Sequence, residues 1–313
     1  MSLIAWILAL AAVFLGTAYA VFRIAFHSPN RTQNDDYAIP PSEQMEPLRE
    51  TALDMIRALN GIPFERVSVT SHDGLRLNGR YYHHRDRAPL AILFHGYRGT
   101  PSRDFSGGTQ LYFAEGFNVL MVEERAHCTS GGHVITFGVE ERRDCLAWAR
   151  YAAERFGAEA RILLCGISMG ASTVLMASCL GLPGNVRGII ADSPFTSPKE
   201  IIRKVCRDLK LPPGIAWPLL SFGARIFGRF DPEGADAAEA VKHTPAPVLL
   251  IHGEDDRFVP CGMGRRIAAS NPEMVELHTF PGAGHGLSFL IDRARYERIC
   301  RSFFERVLQE NGG

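Results

Sequence analysis

The sequence has no excess of charge of either sign. Its 313 residues contain 34 Lys and Arg and 34 Asp and Glu, so the formal net charge is zero with neutral His. It also has no long basic run. Because binding to duplex nucleic acid depends on many Lys and Arg contacts to phosphate groups, we expect no nucleic-acid partner.

The sequence also lacks the cysteine spacing of a zinc site or a disulfide framework. Seven cysteines are scattered along the chain, and none form a CxxC pair. Some, such as Cys165, lie within apolar runs. This pattern is typical of small buried thiols in a reducing compartment, and it favours unpaired cysteines over a disulfide framework.

Charge is absent from one long segment near the start. Residues 3–22 are twenty consecutive residues without a charged side chain. As a helix they span about 30 Å, the thickness of a bilayer's hydrocarbon core. Arg23 is the first charged residue, and no Lys or Arg precedes the run. The positive-inside rule then predicts a transmembrane anchor over residues 1–26, with the rest of the chain in the cytoplasm.

A cleaved signal peptide is the alternative, with secretion of the remaining chain. Ala18-Tyr19-Ala20 resembles an A-x-A cleavage site, although a positively charged n-region is missing. Residues 27–63 are expected to form a polar linker and lead-in. They include the glycosylation sequon Asn30-Arg31-Thr32, which matters only if this segment is extracytoplasmic.

From Phe64 onward, apolar runs of strand length alternate with helical patterns. This alternation predicts a mainly parallel sheet covered by helices, preceded by one antiparallel hairpin around His72-Asp73-Gly74. The predicted strands are 65–71, 75–82, 90–94, 117–122, 162–165, 186–191, 248–251 and 275–280, and the predicted helices are 110–115, 139–155, 168–178, 263–270 and 292–309.

About fifty residues, 195–246, break this alternation. They hold two amphipathic pieces, 198–209 and 215–227, separated by Pro212-Pro213-Gly214. A loop of that length is unusual without structure of its own. We therefore predict a helical cap over the strand ends, with a single crossover helix and a long loop as the alternative.

The segment Gly166-Ile167-Ser168-Met169-Gly170 matches G-x-S-x-G, the nucleophile elbow, between a predicted strand and a predicted helix. A seryl hydroxyl needs a base to take its proton. His285, in a glycine-rich loop after the last strand, is the candidate base, and His127 is the only other histidine retained.

An imidazole base needs a carboxylate that orients it and stabilises its charged form. Asp256 is the preferred acid, as the D of a D-x-x-V-P pattern after a strand. Asp255 is the near alternative, and Asp192 is a distant third. With Asp256, the chain order Ser, Asp, His is that of α/β-hydrolases.

The developing oxyanion needs hydrogen-bond donors. The backbone N–H of Met169, directly after the nucleophile, is one predicted donor. The backbone N–H of Tyr97, in the loop after strand 90–94, is the other, and one such donor is worth about 3 kcal/mol of barrier. The phenol of Tyr97 is an additional candidate donor, with a packed aromatic ring at the cleft edge as the equally favoured alternative.

Taken together, HGYRG, GISMG, HGEDDRFVP and GAGHG resemble the motifs of the α/β-hydrolase superfamily. Over about residues 64–307, the chain resembles bacterial esterase/lipase or serine-aminopeptidase-like α/β-hydrolases with an N-terminal membrane segment. The resemblance implies an α/β fold with an eight-stranded, mostly parallel sheet, helices on both faces, a small helical cap after the sixth strand, and no cofactor or metal. Family members often carry D-x-R-G-H-G-x-S after the fourth strand, where this chain has EERAHCTS at 123–130, so two glycines are replaced.

The leading functional hypothesis is a serine hydrolase, carboxylesterase-like or lipase-like, in which Ser168 attacks a carboxylic ester. The apolar first segment and cap favour an acyl or lipid ester as the small-molecule substrate. One alternative is a membrane-tethered scaffold without activity. Another is a peptidase or amidase with the same triad, whose acidic pocket for a substrate amine would draw on cap carboxylates: Asp231, Glu233, Asp236 and Glu239.

Overall fold

The computed structural model of the chain describes residues 2–28 and 35–309. The sequon at Asn30 lies outside the described residues. Eight strands form one sheet: β1 (Glu65–Thr70), β2 (Arg76–Tyr82), β3 (Leu90–Phe94), β4 (Asn118–Val122), β5 (Ile162–Ile167), β6 (Val186–Asp192), β7 (Val248–Gly253) and β8 (Val275–Phe280).

The strand order across the sheet is β1-β2-β4-β3-β5-β6-β7-β8. β2 runs antiparallel to β1 and to β4, and all other neighbours are parallel. The carboxyl ends of β3 to β8 therefore meet at one edge, where a parallel sheet binds its ligands. The predicted hairpin and the mainly parallel eight-stranded sheet are confirmed.

Helices cover both faces of this sheet, because its central strands are largely apolar; β3 and β4, for example, bury every residue. In the described residues the helices are α1 (Leu3–Ala25), α2 (Arg49–Asn60), α3 (Pro101–Ala114), α4 (Glu141–Phe156), α5 (Met169–Ala177), α6 (Pro198–Asp208), α7 (Pro213–Ile226), α8 (Ala237–Ala240), α9 (Cys261–Ser270), α10 (Ser288–Ile291) and α11 (Arg293–Leu308).

Two of the longer helices differ most from the sequence-based expectation. α2 lies inside the segment predicted as a linker, and it buries Ile56 and Leu59 as it packs on α3. α3 begins at Pro101, well before the predicted start at 110, with Thr100 as its N-cap. Serines and glycines in its first half have low helix propensity, so the sequence pattern there does not predict a helix.

The cap segment between β6 and β7 forms α6, α7 and α8. Helix α7 includes Pro218 and has no charged residue before Arg225. It packs against α6 and against α1, the helix nearest the N-terminus.

Helix α1 is long and apolar enough to cross a membrane, with a mean hydropathy of 2.2 over its best window. Its first half is exposed, whereas Ala18 and Phe22 are buried and Phe26, directly after it, is 0% exposed. The ring of Phe14 lies 5.1 Å from that of Phe222 on α7. One side of the second half of α1 therefore packs on the cap, and Phe22 and Phe26 belong to the main hydrophobic core.

Candidate active site

Ser168 lies in a tight turn between β5 and α5. Its backbone has φ 56° and ψ −115°, a conformation that a non-glycine residue adopts at a cost of about 1–3 kcal/mol. A side chain at Gly166 would overlap the carbonyl of Gly170, and one at Gly170 would overlap the carbonyl of Phe94. Both glycines of G-x-S-x-G are therefore required for close packing, and the turn holds the seryl oxygen at the edge of the sheet.

The structure brings Ser168, His285 and Asp256 into one hydrogen-bonded row. The Oγ of Ser168 lies 2.8 Å from Nε2 of His285. The Nδ1 of His285 lies 2.7 Å from Oδ2 of Asp256. These distances are within hydrogen-bond reach, and they give the imidazole one nitrogen toward the hydroxyl and one toward the carboxylate.

Asp256 is buried and fully engaged. Its Oδ1 accepts the backbone N–H groups of Phe258, at 2.9 Å, and Val259, at 2.7 Å. Burial by itself would raise the pKa of this carboxyl, but hydrogen bonds from His252 and His285 outweigh burial and lower the pKa to about 2. The carboxylate therefore stays charged at neutral pH and holds the Nδ1 proton of His285.

The other two candidate acids lie elsewhere. Asp255 is exposed, and its backbone N–H donates to the carbonyl of Ala283. Asp192 is buried at the end of β6 and accepts the hydroxyl of Ser193 at 2.9 Å. Burial raises the pKa of Asp192 to about 6. Only Asp256 contacts His285.

The β3–α3 loop, residues 95–99, packs against the serine turn. A Cβ at Gly96 would lie 3.3 Å from the Cβ of Ser168. Within residues 2–28 and 35–309, the backbone N–H groups of Tyr97 and Met169 donate to no protein acceptor. Both of these predicted donors therefore lie beside the serine turn without a protein acceptor in the described residues.

The phenol of Tyr97 does not serve as a further donor to the site. Its hydroxyl donates to the backbone carbonyl of Ala25 at 2.8 Å. Its ring stacks on Phe137, with centroids 4.9 Å apart. The packed-ring interpretation is the one that fits the structure.

His127 is fully buried, and it supports the β3–α3 loop rather than Ser168. Its Nε2 accepts the backbone N–H of Arg98 at 2.9 Å, and its Nδ1 donates to the carbonyl of Arg125. Burial lowers its pKa to about 3, so the ring is neutral. His95, in the β3–α3 loop, makes the converse contact to the loop after β4, because its Nε2 accepts the N–H of Glu124 at 3.0 Å. An H-G pair and a histidine after a strand are the only sequence signals of these roles.

The loop that replaces D-x-R-G-H-G-x-S keeps the glycine conformation without the glycines. Ala126 and Cys128, at the two substituted positions, have φ angles of 62° and 45°. The carboxylate of Glu123 fixes the loop by accepting both the N–H and the hydroxyl of Thr129. Hydrogen bonds therefore offset the steric cost of left-handed backbone at two non-glycine residues.

One group of described side chains has the spacing of metal ligands: His72, Asp73 and Asp144. The guanidinium of Arg125 pairs with both of these carboxylates, at 3.0 Å from Asp73 and 2.6 Å from Asp144. A positive charge is thus already present where a cation would bind.

Phe258 forms part of the mouth of the site. It is 46% exposed, and its ring centroid lies 5.1 Å from that of His285. The ammonium group of Lys204, on α6 of the cap, lies 5.7 Å from the same ring centroid. The cap thus reaches the residue that covers one side of the imidazole.

Comparisons with known proteins identify relatives of this chain. It is 24% identical over 201 residues to the uncharacterized protein YqkD of Bacillus subtilis, covering 63% of this chain and 65% of that protein. It is 28% identical over 214 residues to the lysophosphatidylserine lipase ABHD12 of Danio rerio, covering 64% of this chain and 51% of that protein. The matched region therefore spans just under two thirds of the first relative and about half of the second.

Among solved structures, the esterase Pf2001 of Pyrococcus furiosus superposes with a TM-score of 0.64 at 23% identity, covering 81% of this chain and 96% of the esterase. Est1E of Butyrivibrio proteoclasticus, solved with ferulic acid, gives a TM-score of 0.60 at 20% identity, covering 78% of this chain and 100% of Est1E. These similarities show the fold. The profile of the alpha/beta hydrolase family matches residues 91–299, and the chain therefore belongs to this family.

Proposed function

We propose that the protein is a serine hydrolase that cleaves a carboxylic ester through an acyl-enzyme. The observation that carries this proposal is the row Ser168, His285, Asp256, with its distances of 2.8 and 2.7 Å. A structural serine has no need of the strained backbone at φ 56°. Strain at a residue that also contacts a base is typical of a catalytic nucleophile.

In the proposed reaction, His285 takes the proton of Ser168 as the hydroxyl attacks the ester carbonyl. The N–H groups of Tyr97 and Met169 bind the oxyanion, and Asp256 stabilises the imidazolium. His285 then protonates the leaving alcohol, and an acyl-serine remains. Water, deprotonated by the same imidazole, attacks the acyl group and releases the acid.

We favour an ester with an acyl chain as the substrate class. The cap helix α7 is apolar, and it packs against α1, a candidate membrane span. One relative is a lysophosphatidylserine lipase, and one structural neighbour is an esterase. A lipid-like acyl substrate would be available where an apolar cap meets an apolar helix.

The peptidase or amidase alternative gains little support from the cap. Each carboxylate proposed for binding a substrate amine already has a partner in the described structure. Glu233 pairs with Lys199 and Arg225, and Asp231 also pairs with Arg225. Asp236 is the N-cap of α8, and Glu239 forms an ion pair with Lys242.

The test measures hydrolysis of p-nitrophenyl esters, from acetate to palmitate, by the full chain in mild detergent. The full chain is used because Phe22 in α1 and Phe26 directly after it belong to the core. Ser168→Ala is expected to lose about 10⁴-fold or more in kcat. Ser270→Ala, a serine in the last turn of α9, is the matched control and should keep the wild-type rate.

Equal rates for Ser168→Ala and the wild type would remove Ser168 from the mechanism. Cleavage of acetate and butyrate alone would reject the acyl-chain substrate but keep the serine hydrolase. If the wild type cleaves aminoacyl amides and no ester, the amidase reading replaces the proposal. If it cleaves neither and a fluorophosphonate fails to label Ser168, the scaffold reading replaces it.

We further propose that α1 stays attached as a membrane anchor, with the hydrolase domain in the cytoplasm. Cleavage after Ala20 would remove Ala18, which is 0% exposed, from its contact with α7. N-terminal sequencing of the mature protein distinguishes the two cases. A mature chain that begins at Val21 and is found outside the cell would support the signal peptide instead.

A further inference from the structure

We propose that the C-terminal end of α1 positions the β3–α3 loop, residues 95–99, through the side chains of Tyr97 and Arg98. The proposal builds on the proposed function, because Tyr97 supplies one of the two oxyanion donors. Under this proposal, the candidate membrane helix fixes the geometry of the active site as well as anchoring the chain.

The contact begins from a general property of helices. The last carbonyl groups of an α-helix have no partner within the helix and need donors from elsewhere. At the end of α1, the hydroxyl of Tyr97 donates to the carbonyl of Ala25 at 2.8 Å. The guanidinium of Arg98 donates to the carbonyls of Ile24, at 2.7 Å, and His27, at 3.3 Å. The positive charge of Arg98 at this end of the helix also interacts favourably with the negative pole of the helix dipole.

The C-terminal end of α1 is itself held in place by the hydrolase domain. Phe22 and Phe26 are 4% and 0% exposed, and both belong to the main core. Directly after the helix, the carbonyl of Phe26 accepts the N–H of Ile135, and the N–H of Ser28 donates to the carbonyl of His133. The carbonyls that Tyr97 and Arg98 bind are thus attached to the hydrolase fold from two sides.

The loop needs such support, because its backbone is not in a relaxed conformation. Arg98 has a φ of 52° without being a glycine. Strained residues persist only where the surroundings hold them by several contacts. His127 holds the N–H of Arg98 from below the loop, and Asp104 holds the N–H of Gly96. The carbonyls at the end of α1 bind the side chains of Tyr97 and Arg98. None of these contacts uses the backbone N–H of Tyr97, so this N–H remains available to the substrate.

Small errors in the position of this N–H are costly for the reaction. An oxyanion donor acts only when it lies about 2.7–3.1 Å from the developing charge. A displacement of about 1 Å at such a site can reduce the rate by about 100-fold. Loss of the α1 contacts is therefore expected to reduce kcat while substrate binding before the reaction, and hence KM, changes little.

The test compares Tyr97→Phe with Tyr151→Phe in the full chain in mild detergent. Tyr97→Phe keeps the ring on Phe137 and removes only the hydroxyl bound to α1. Tyr151→Phe removes a hydroxyl that accepts from Arg155 at the surface of α4, and it serves as the matched control. We expect Tyr97→Phe to lower kcat about tenfold with KM within about twofold, and the control to match the wild type.

A second readout separates positioning from a general loss of structure. A trifluoromethyl ketone forms a tetrahedral adduct with the serine and places its oxyanion against the two N–H donors. Its inhibition constant should rise about tenfold in Tyr97→Phe, in parallel with the fall in kcat. Arg98→Gln, at an exposed side chain, should produce the same pattern and serves if Tyr97→Phe fails to fold.

Wild-type kcat and inhibitor affinity in both folded variants would overturn the proposal. A rise in KM with unchanged kcat would also overturn it, because that result would place Tyr97 in substrate binding. Ser168→Ala tests the proposed function separately. Loss of activity in Ser168→Ala together with full activity in Tyr97→Phe and Arg98→Gln would reject only the link to α1.

Discussion

The substitution Phe26→Ala tests whether the end of α1 is part of the hydrolase core. Phe26 follows the apolar helix directly, where a simple membrane tether would have no packing role. In the structure its side chain is 0% exposed. Its ring centroid lies 6.1 Å from that of Phe22, 5.8 Å from that of Phe137 and 5.3 Å from that of Phe230.

These contacts set the expected magnitude. Replacing a fully buried Phe with Ala removes the transfer free energy of the ring and leaves a cavity, at a total of about 3–5 kcal/mol. Phe14, on the same helix, is 44% exposed and contacts one ring, that of Phe222. One such ring contact is worth about 0.5–1.5 kcal/mol, so we expect Phe14→Ala to cost about 1 kcal/mol.

Urea unfolding of the full chain in mild nonionic detergent measures the difference. With a slope of about 3 kcal/mol per molar urea, Phe26→Ala should lower the midpoint by about 1 M or more, and Phe14→Ala by a few tenths. Midpoints for both variants that agree within about 0.2 M would refute the reasoning. That result would mean that α1 does not pack on the hydrolase domain in solution.

Two further predictions concern the site. Asp256→Asn should lower kcat by about 10⁴-fold, because an amide N–H₂ facing Nδ1 of His285 favours the wrong tautomer. Asp255→Asn, at the exposed neighbour, should leave kcat unchanged. Comparable losses of kcat in both variants would contradict the assignment of Asp256. His127 has a folded-state pKa of about 3, below its unfolded value of 6.5, so its contribution to stability falls as pH drops below 6.5. The stability advantage of the wild type over His127→Gln should therefore shrink by about 2 kcal/mol between pH 7 and pH 5, measured by urea unfolding, and a constant difference would show that His127 is not buried as a neutral ring.

Much of the fold could be predicted because its signals are local. Apolar runs with turn residues between them define the strands, and the predicted bounds of β3 and β8 match the structure at both ends. The start of α3 and all of α2 were missed. The first half of α3 has weak helix propensity, and both helices depend on packing partners far away in the chain. α2, in contrast, buries Ala52, Ile56 and Leu59 at helical spacing, so a local helix signal lies within the predicted linker.

By itself the sequence determined which residue types stand at the ends of the strands, because motifs such as G-x-S-x-G are read over a few neighbouring positions. Tertiary structure decided between adjacent candidates: Asp256 faces His285, and Asp255 faces solvent. It also decided that the hydroxyl of Tyr97 contacts the end of α1 and that His127 supports Arg98. The first of these contacts joins segments 72 positions apart and the second joins segments 29 apart. Side-chain direction and long-range proximity arise only when the whole sheet assembles, so no local pattern encodes them.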